Sequence, residues 1–173
     1  KAASSLRLCV SGGAPMPVAL MQEFEAAFGV RILEGYGLSE TSPVACFNHV
    51  YRPSKPGTVG PAIFSCEVRV VDTEDRPVAT GEAGEVVIRV HNVMKGYYKD
   101  SKATAEMTTS NGWHRTGDIG LKDVDGFIYI VDRKRDMIIS GGFNIYPSEI
   151  EQVLWTHPAV QDCTVVGIPH EKW

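Results

Sequence analysis

The sequence predicts a mixed α+β fold assembled from three stretches of different texture. Residues 1–52 alternate strand, helix and strand, which implies a parallel sheet with a crossover helix. Residues 53–132 carry short apolar strands separated by Gly, Pro and Asp turns, and read as a small antiparallel, β-barrel-like unit. Residues 133–173 hold one helix with clear start signals between strand candidates. The order is therefore the end of an α/β parallel-sheet unit, a barrel-like unit, and the start of a small α+β unit.

Each element has a local reason. Leu6-Arg7-Leu8-Cys9-Val10 is a short apolar run, read as a buried strand and closed by Ser11-Gly12-Gly13-Ala14-Pro15. Val18, Met21, Phe24, Ala27 and Phe28 recur at helical spacing, with Pro17 suited to the start and Gly29 to the C-terminal cap. Val30 to Leu33 is the next strand. Strands are expected at Cys66 to Val71, Gly84 to Val90 and Phe127 to Val131, and Asp123-Val124-Asp125-Gly126 is a hairpin signal. Two helical pieces are expected, Val93 to Tyr98 and Ser101 to Met107. Ser148-Glu149-Ile150-Glu151 forms a capping box after Pro147, and Ile150, Val153 and Leu154 give that helix an apolar stripe. His157-Pro158 ends it, and Val160 to Ile168 reads as a buried strand. Strands this close to both ends suggest a piece of a longer protein, with the last unit incomplete.

Composition narrows the function. Hydrophobic residues make up 43% of the 173 and charged residues 22%, enough for a packed core. A net charge of −4 gives no general case for nucleic acid, and Arg133-Lys134-Arg135 is too short a basic run to make one. The four cysteines are far apart and form no C-x-x-C pair, which fits reduced thiols in a cytoplasmic protein better than zinc or disulfides. No stretch reads as a bilayer span or signal peptide, so no membrane contact is encoded in these residues. The five histidines lack metal spacing.

Four polar islands concentrate the chemistry: Gly35-Tyr36-Gly37-Leu38-Ser39-Glu40-Thr41, Trp113-His114-Arg115-Thr116-Gly117-Asp118, Asp132-Arg133-Lys134-Arg135-Asp136, and Ser140-Gly141-Gly142-Phe143-Asn144-Ile145-Tyr146-Pro147. Glycine lets backbone approach a ligand while hydroxyl, carboxylate and guanidinium groups grip it. In the first island, Ser39 and Thr41 offer donors to a phosphate, Glu40 suits a hard cation such as Mg²⁺, and Tyr36 offers a flat face to a base. The same residues also fit an ordinary strand-to-helix turn capped by Ser or Thr. Asp118 can accept both hydroxyls of a ribose or simply satisfy a turn. Arg133 fits a solvated charge, and the fourth island fits a hairpin loop.

In order and spacing, these islands resemble the adenylate-forming enzymes that activate carboxylic acids, with the nearest likeness to fatty acyl-CoA synthetases. The likeness runs from Leu8 to Ile168. It implies ATP, Mg²⁺ and CoA as the small-molecule requirements. Carboxylate and ATP give acyl-AMP and pyrophosphate, and CoA then displaces AMP. By position it implies ATP or AMP contacts at Gly13, Ala14, Pro15, Tyr36, Gly37, Ser39, Thr41, Asp118 and Arg133. Glu40 takes the place of the Mg²⁺ ligand, and Arg135 that of the hinge about which the C-terminal unit rotates. Gly141, Gly142 and Phe143 take the place of the pantetheine path. Phe143 stands where aryl-acid members often carry Glu, which favours a fatty acid. The family also uses a phosphate loop expected upstream and a catalytic Lys expected downstream, so this chain alone is expected to be inactive. Rival readings are an aryl- or amino-acid activating enzyme, and a nucleotide-binding or structural module of the same fold.

Overall fold

The computed structural model describes residues 5–170. A first sheet has the order β1-β2-β3, with β1 Leu8–Ser11, β2 Arg31–Gly37 and β3 Val44–Phe47. Strands β1 and β2 are parallel and joined by helix α1, Val18–Phe28, as the strand–helix–strand rhythm requires. Gly29 ends α1, its N–H donating to Glu25 O at 2.8 Å. β2 is longer than expected because it carries Ile32, Leu33 and Glu34 into the interior and continues through Tyr36 to pair with β3. β1, by contrast, is not buried, and Val10 is exposed.

A second sheet is antiparallel and open, in the order β4-β5-β6-β7: Glu67–Val71, Gly84–Arg89, His114–Lys122 and Ile128–Arg133. The expected hairpin turn joins β6 to β7. Asp123 accepts the N–H groups of Asp125 and Phe127 at 2.9 Å each, and Lys55 reaches both Asp123 and Asp125 at 2.6 Å. Residues 59–63 stitch the sheets together. Val59 N–H donates to Ile128 O, while Ile63 N–H donates to Ala45 O, both at 3.0 Å. The shared core follows from this seam. Ala45 and Cys46 of β3 pack with Val68, Val86, Ile88 and Ile128 of the second sheet. Burial pushes the Cys46 thiol well above its ordinary range.

Three local expectations change, and the hairpin that fits the fourth island forms. Residues 93–98 form turns around Gly96 instead of a helix, and only α2, Ser101–Glu106, forms, with Asp100 accepting Ala103 N–H at 2.9 Å. A two-strand hairpin, β8 Ile138–Ser140 and β9 Phe143–Ile145, precedes α3, Pro147–Trp155. Pro147 occupies the first helical position, so Ser148 lies inside the first turn and makes no capping box. Ser148 instead bonds β7: its N–H donates to Asp132 Oδ2 at 3.0 Å and its hydroxyl to Val131 O. Residues 160–168 pair with no strand among the described residues. They run beside α3, where Val165 N–H donates to Glu151 Oε1 at 2.7 Å, and Val166 and Ile168 are exposed.

Candidate active site

The site is assembled where β2 crosses β6 and β7. Asp118 sits in the middle of β6 opposite Arg133 of β7, and only 2% of its surface is exposed. Thr116 fixes the local backbone: its hydroxyl donates to Val86 O at 2.7 Å and accepts Asp118 N–H at 3.1 Å. Tyr36, at the far end of β2, donates its hydroxyl to Asp118 Oδ2. Arg133 Nε lies 3.0 Å from Asp118 Oδ1, yet off the line of a hydrogen bond, so this buried oxygen keeps an unfilled acceptor. Burial raises the Asp118 carboxyl above its ordinary pKa, against the Tyr36 hydrogen bond and the Arg133 charge. Burial, reinforced by the Asp118 charge, pushes the Tyr36 phenol above its normal range.

Glu40 lies on a 3-10 turn, Ser39–Thr41, directly after β2. Gly37 makes this turn possible, because a Cβ there would sit 1.7 Å from Pro43 O. Ser39 is exposed and Glu40 half-buried. Tyr97 donates its hydroxyl to Glu40 Oε1 at 2.7 Å, the main reason that carboxyl is held below its ordinary pKa. Thr41, expected as a phosphate contact, turns its hydroxyl toward its own backbone. It is fully buried, and its hydroxyl accepts Leu38 N–H at 3.0 Å and contacts Pro43 O at 2.8 Å. The tightness of the turn folds that hydroxyl back on the chain, leaving Ser39 as the outward donor.

The loop holding Gly13, Ala14 and Pro15 abuts the end of β2: a Cβ at its Gly12 would lie 3.1 Å from Gly35 O. Glu34 is buried on β2 with its Oε2 lacking a hydrogen-bond partner, and burial raises its carboxyl above the ordinary pKa. Gly141 and Gly142, both at positive φ, form the two-residue turn between β8 and β9, a conformation glycine adopts at little cost. Phe143 is 75% exposed. Among the described residues, no hydrogen bond or ion pair ties this hairpin to Tyr36, Asp118 or Arg133. Arg135 follows β7 with its side chain 84% exposed, 3.6 Å from Asp136.

Three supporting residues escaped the sequence reading. Lys134 donates to Glu85 Oε2 at 2.8 Å, and its N–H donates to Gly117 O. Glu85 is buried on β5 and also takes Arg115 at 2.9 Å. The useful signal was a carboxylate inside an apolar strand, which demands cationic partners. Tyr97, whose hydroxyl holds Glu40, is the third.

A family model described as AMP-binding enzyme matches residues 1–98, and one described as AMP-binding enzyme C-terminal domain matches residues 149–173. The chain belongs to the AMP-binding enzyme family. A long-chain-fatty-acid–CoA ligase of Bacillus subtilis is 43% identical over 96% of this chain and 30% of its own length. A feruloyl-CoA synthase from an Amycolatopsis species is 42% identical over 98% of this chain and 34% of its own. Among solved structures, ATP-bound MatB from Rhodopseudomonas palustris superposes with a TM-score of 0.91 at 35% identity, over 95% of this chain and 33% of that one. The chain thus spans about a third of the length of these relatives. The mixed α+β architecture is that of the AMP-binding enzymes. No helix among the described residues is long and apolar enough to cross a membrane.

Proposed function

We propose that an enzyme containing this chain activates a fatty acid with ATP and transfers the acyl group to CoA. In the first step a carboxylate oxygen bonds to the α-phosphorus, the bond to the bridging oxygen breaks, and pyrophosphate leaves. In the second the CoA thiolate attacks the acyl carbonyl carbon, and the carbon–oxygen bond to AMP breaks. The observation that carries the reading is the buried Asp118 carboxylate, with its unfilled oxygen, between Tyr36 and Arg133. A buried acceptor that is ion-paired with Arg133 but receives no hydrogen bond is well placed to be completed by a ligand's donor.

In this reading Asp118 accepts a ribose hydroxyl and Arg133 keeps that carboxylate charged and aligned. Tyr36 and the Gly13-Ala14-Pro15 loop border adenine, Gly37 lets backbone approach, and Ser39 donates to a phosphate. Glu40 fits Mg²⁺, being a hard oxygen donor held ionised by Tyr97. No group of three His, Cys, Asp or Glu side chains among the described residues forms a metal cage, so phosphate and water would supply the other oxygens. A magnesium ion there would neutralise phosphate charge as the leaving group departs. Arg135 serves as the pivot that brings Gly141, Gly142 and Phe143 to the pantetheine path. The unit boundaries 1–52, 53–132 and 133–173, and a cytoplasmic setting, belong to the same proposal.

The near-equal identity to a feruloyl-CoA synthase favours one second reading, an aryl acid as substrate. A pyrophosphate-release screen of the full enzyme across fatty, aryl and amino acids, with and without CoA, tests both. Release with fatty acids above all others supports the proposal. Release only with aryl acids replaces the substrate, and none with any acid removes the activity.

A further inference from the structure

The loop at residues 92–97 holds the Ser39–Thr41 turn at three points. Asn92 Nδ2 donates to Thr41 O at 2.5 Å, Met94 N–H donates to Glu40 O at 2.8 Å, and Tyr97 donates its hydroxyl to Glu40 Oε1 at 2.7 Å. The first two bonds fix the backbone that carries Glu40, and the third fixes its carboxylate. Tyr97 is itself anchored. Its N–H donates to the Thr104 hydroxyl at 2.9 Å, and that hydroxyl donates to Asp100 O at 2.7 Å. Gly96 closes the loop onto α2 so tightly that a Cβ there would meet Thr104 Cγ2 at 2.7 Å. A phenol supported in this way selects one orientation for a carboxylate that is otherwise half-exposed on a tight turn.

From this geometry we infer that Tyr97 is a positioning residue for Glu40, aiming its carboxylate at the cation of a metal–nucleotide complex. The inference rests on the proposed role of Glu40. Tyr97 acts on the metal through Glu40, and among the described residues no hydrogen bond or ion pair links it to the ribose site of Asp118, Tyr36 and Arg133. The two sites are therefore separable: metal-free AMP uses the second, whereas a metal–triphosphate complex uses both.

The experiment uses the full-length enzyme and measures binding, not turnover. Mn²⁺ is titrated by electron paramagnetic resonance in the presence of a non-hydrolysable α,β-methylene ATP, and AMP is titrated calorimetrically without metal. Tyr97→Phe removes one hydroxyl and keeps the ring. Partners that orient metal ligands commonly set about 10–100-fold in metal affinity, so Mn²⁺ affinity is expected to fall about tenfold with AMP affinity unchanged. Adding Tyr97→Phe to Glu40→Gln should weaken Mn²⁺ no further, since the phenol works only through that carboxylate. Unchanged Mn²⁺ affinity in Tyr97→Phe overturns the inference. So does an equal loss of AMP affinity, which would make the loop a mere support of the fold. A wild-type enzyme that binds AMP but not the Mn²⁺ complex removes the Glu40 role and this inference together. Failure of the wild type to bind AMP at all locates the error in the nucleotide reading itself.

Discussion

Replacing Asp118 by alanine in the full-length enzyme tests the ribose site directly. The unfilled Oδ1 offers at least one charge-assisted hydrogen bond to a ribose hydroxyl. Such a bond is worth about 1.5–3 kcal/mol, or about 10- to 150-fold in Kd. The same substitution strands the Tyr36 hydroxyl, a loss of about 1–3 kcal/mol in fold stability. Removing a carboxylate whose ionisation burial disfavours offsets part of that loss. Asp118→Asn separates the two effects, because the amide oxygen still accepts from Tyr36 while the charge is gone. The expected order of thermal stability is therefore Asn above Ala, with both weak for nucleotide. Calorimetric titration with AMP, alongside thermal melting, reads both quantities and needs no metal or acid substrate. A folded Asp118→Ala enzyme with unaltered AMP affinity would refute the reasoning.

Three other outcomes follow from the same geometry. Because burial raises the Asp118 pKa, its contribution favours the folded state below the unfolded pKa and is lost as pH rises through the folded pKa. AMP binding runs the other way and should weaken as pH falls through that raised pKa, so a flat calorimetric pH series in the folded range would exclude Asp118 as the charged acceptor. Arg135→Pro in the full enzyme should spare pyrophosphate exchange and block single-turnover capture of acyl-AMP by CoA, since proline fixes φ and removes a donor. An equal loss in both half-reactions would make Arg135 an ordinary structural residue. Ile88→Ala empties a fully buried position in the core shared by the two sheets and should cost about 2–5 kcal/mol in urea unfolding. A change of under about 1 kcal/mol would mean that this core collapses around the gap.

Legibility in the sequence tracked the range of the interaction. Helix α1 was fixed by the spacing of Val18, Met21 and Phe24 and by neighbours one residue away, Pro17 and Gly29, so it appeared where expected. The β6–β7 turn was readable for the same reason, since Asp123 satisfies the N–H groups of Asp125 and Phe127 within its own loop. Strand β6 was harder, because Gly117 and the charged run around it break the alternation that marks a strand. Only its pairing with β5 and β7 makes it one. The expected strand at 160–168 failed for the complementary reason: apolar residues without a neighbouring strand have no ladder to join. At the site, Tyr36, Asp118 and Arg133 were singled out through their motifs, but their mutual contacts span up to 82 positions in sequence and could not be read. The direction of Thr41 was not legible because its hydroxyl looks the same in sequence whether it faces a phosphate or its own backbone. Lys134 and Tyr97 were passed over because their partners, Glu85 and Glu40, lie on other strands and turns.

The indole of Trp113 lies buried in the second sheet, with the Arg69 and Arg89 guanidinium carbons 4.4 and 4.5 Å from its ring. Trp155, at the end of α3, is partly exposed and stands on the far side of Arg135 in the chain. Two of the chain's three tryptophans, Trp113 and Trp155, therefore straddle its proposed pivot, one shielded by charge and packing and the other partly open to water. A soluble quencher would dim the second before the first. Any reorientation that withdrew α3 from β7 would alter that contrast, so the position of the C-terminal segment can be followed in unlabelled protein by the light it emits.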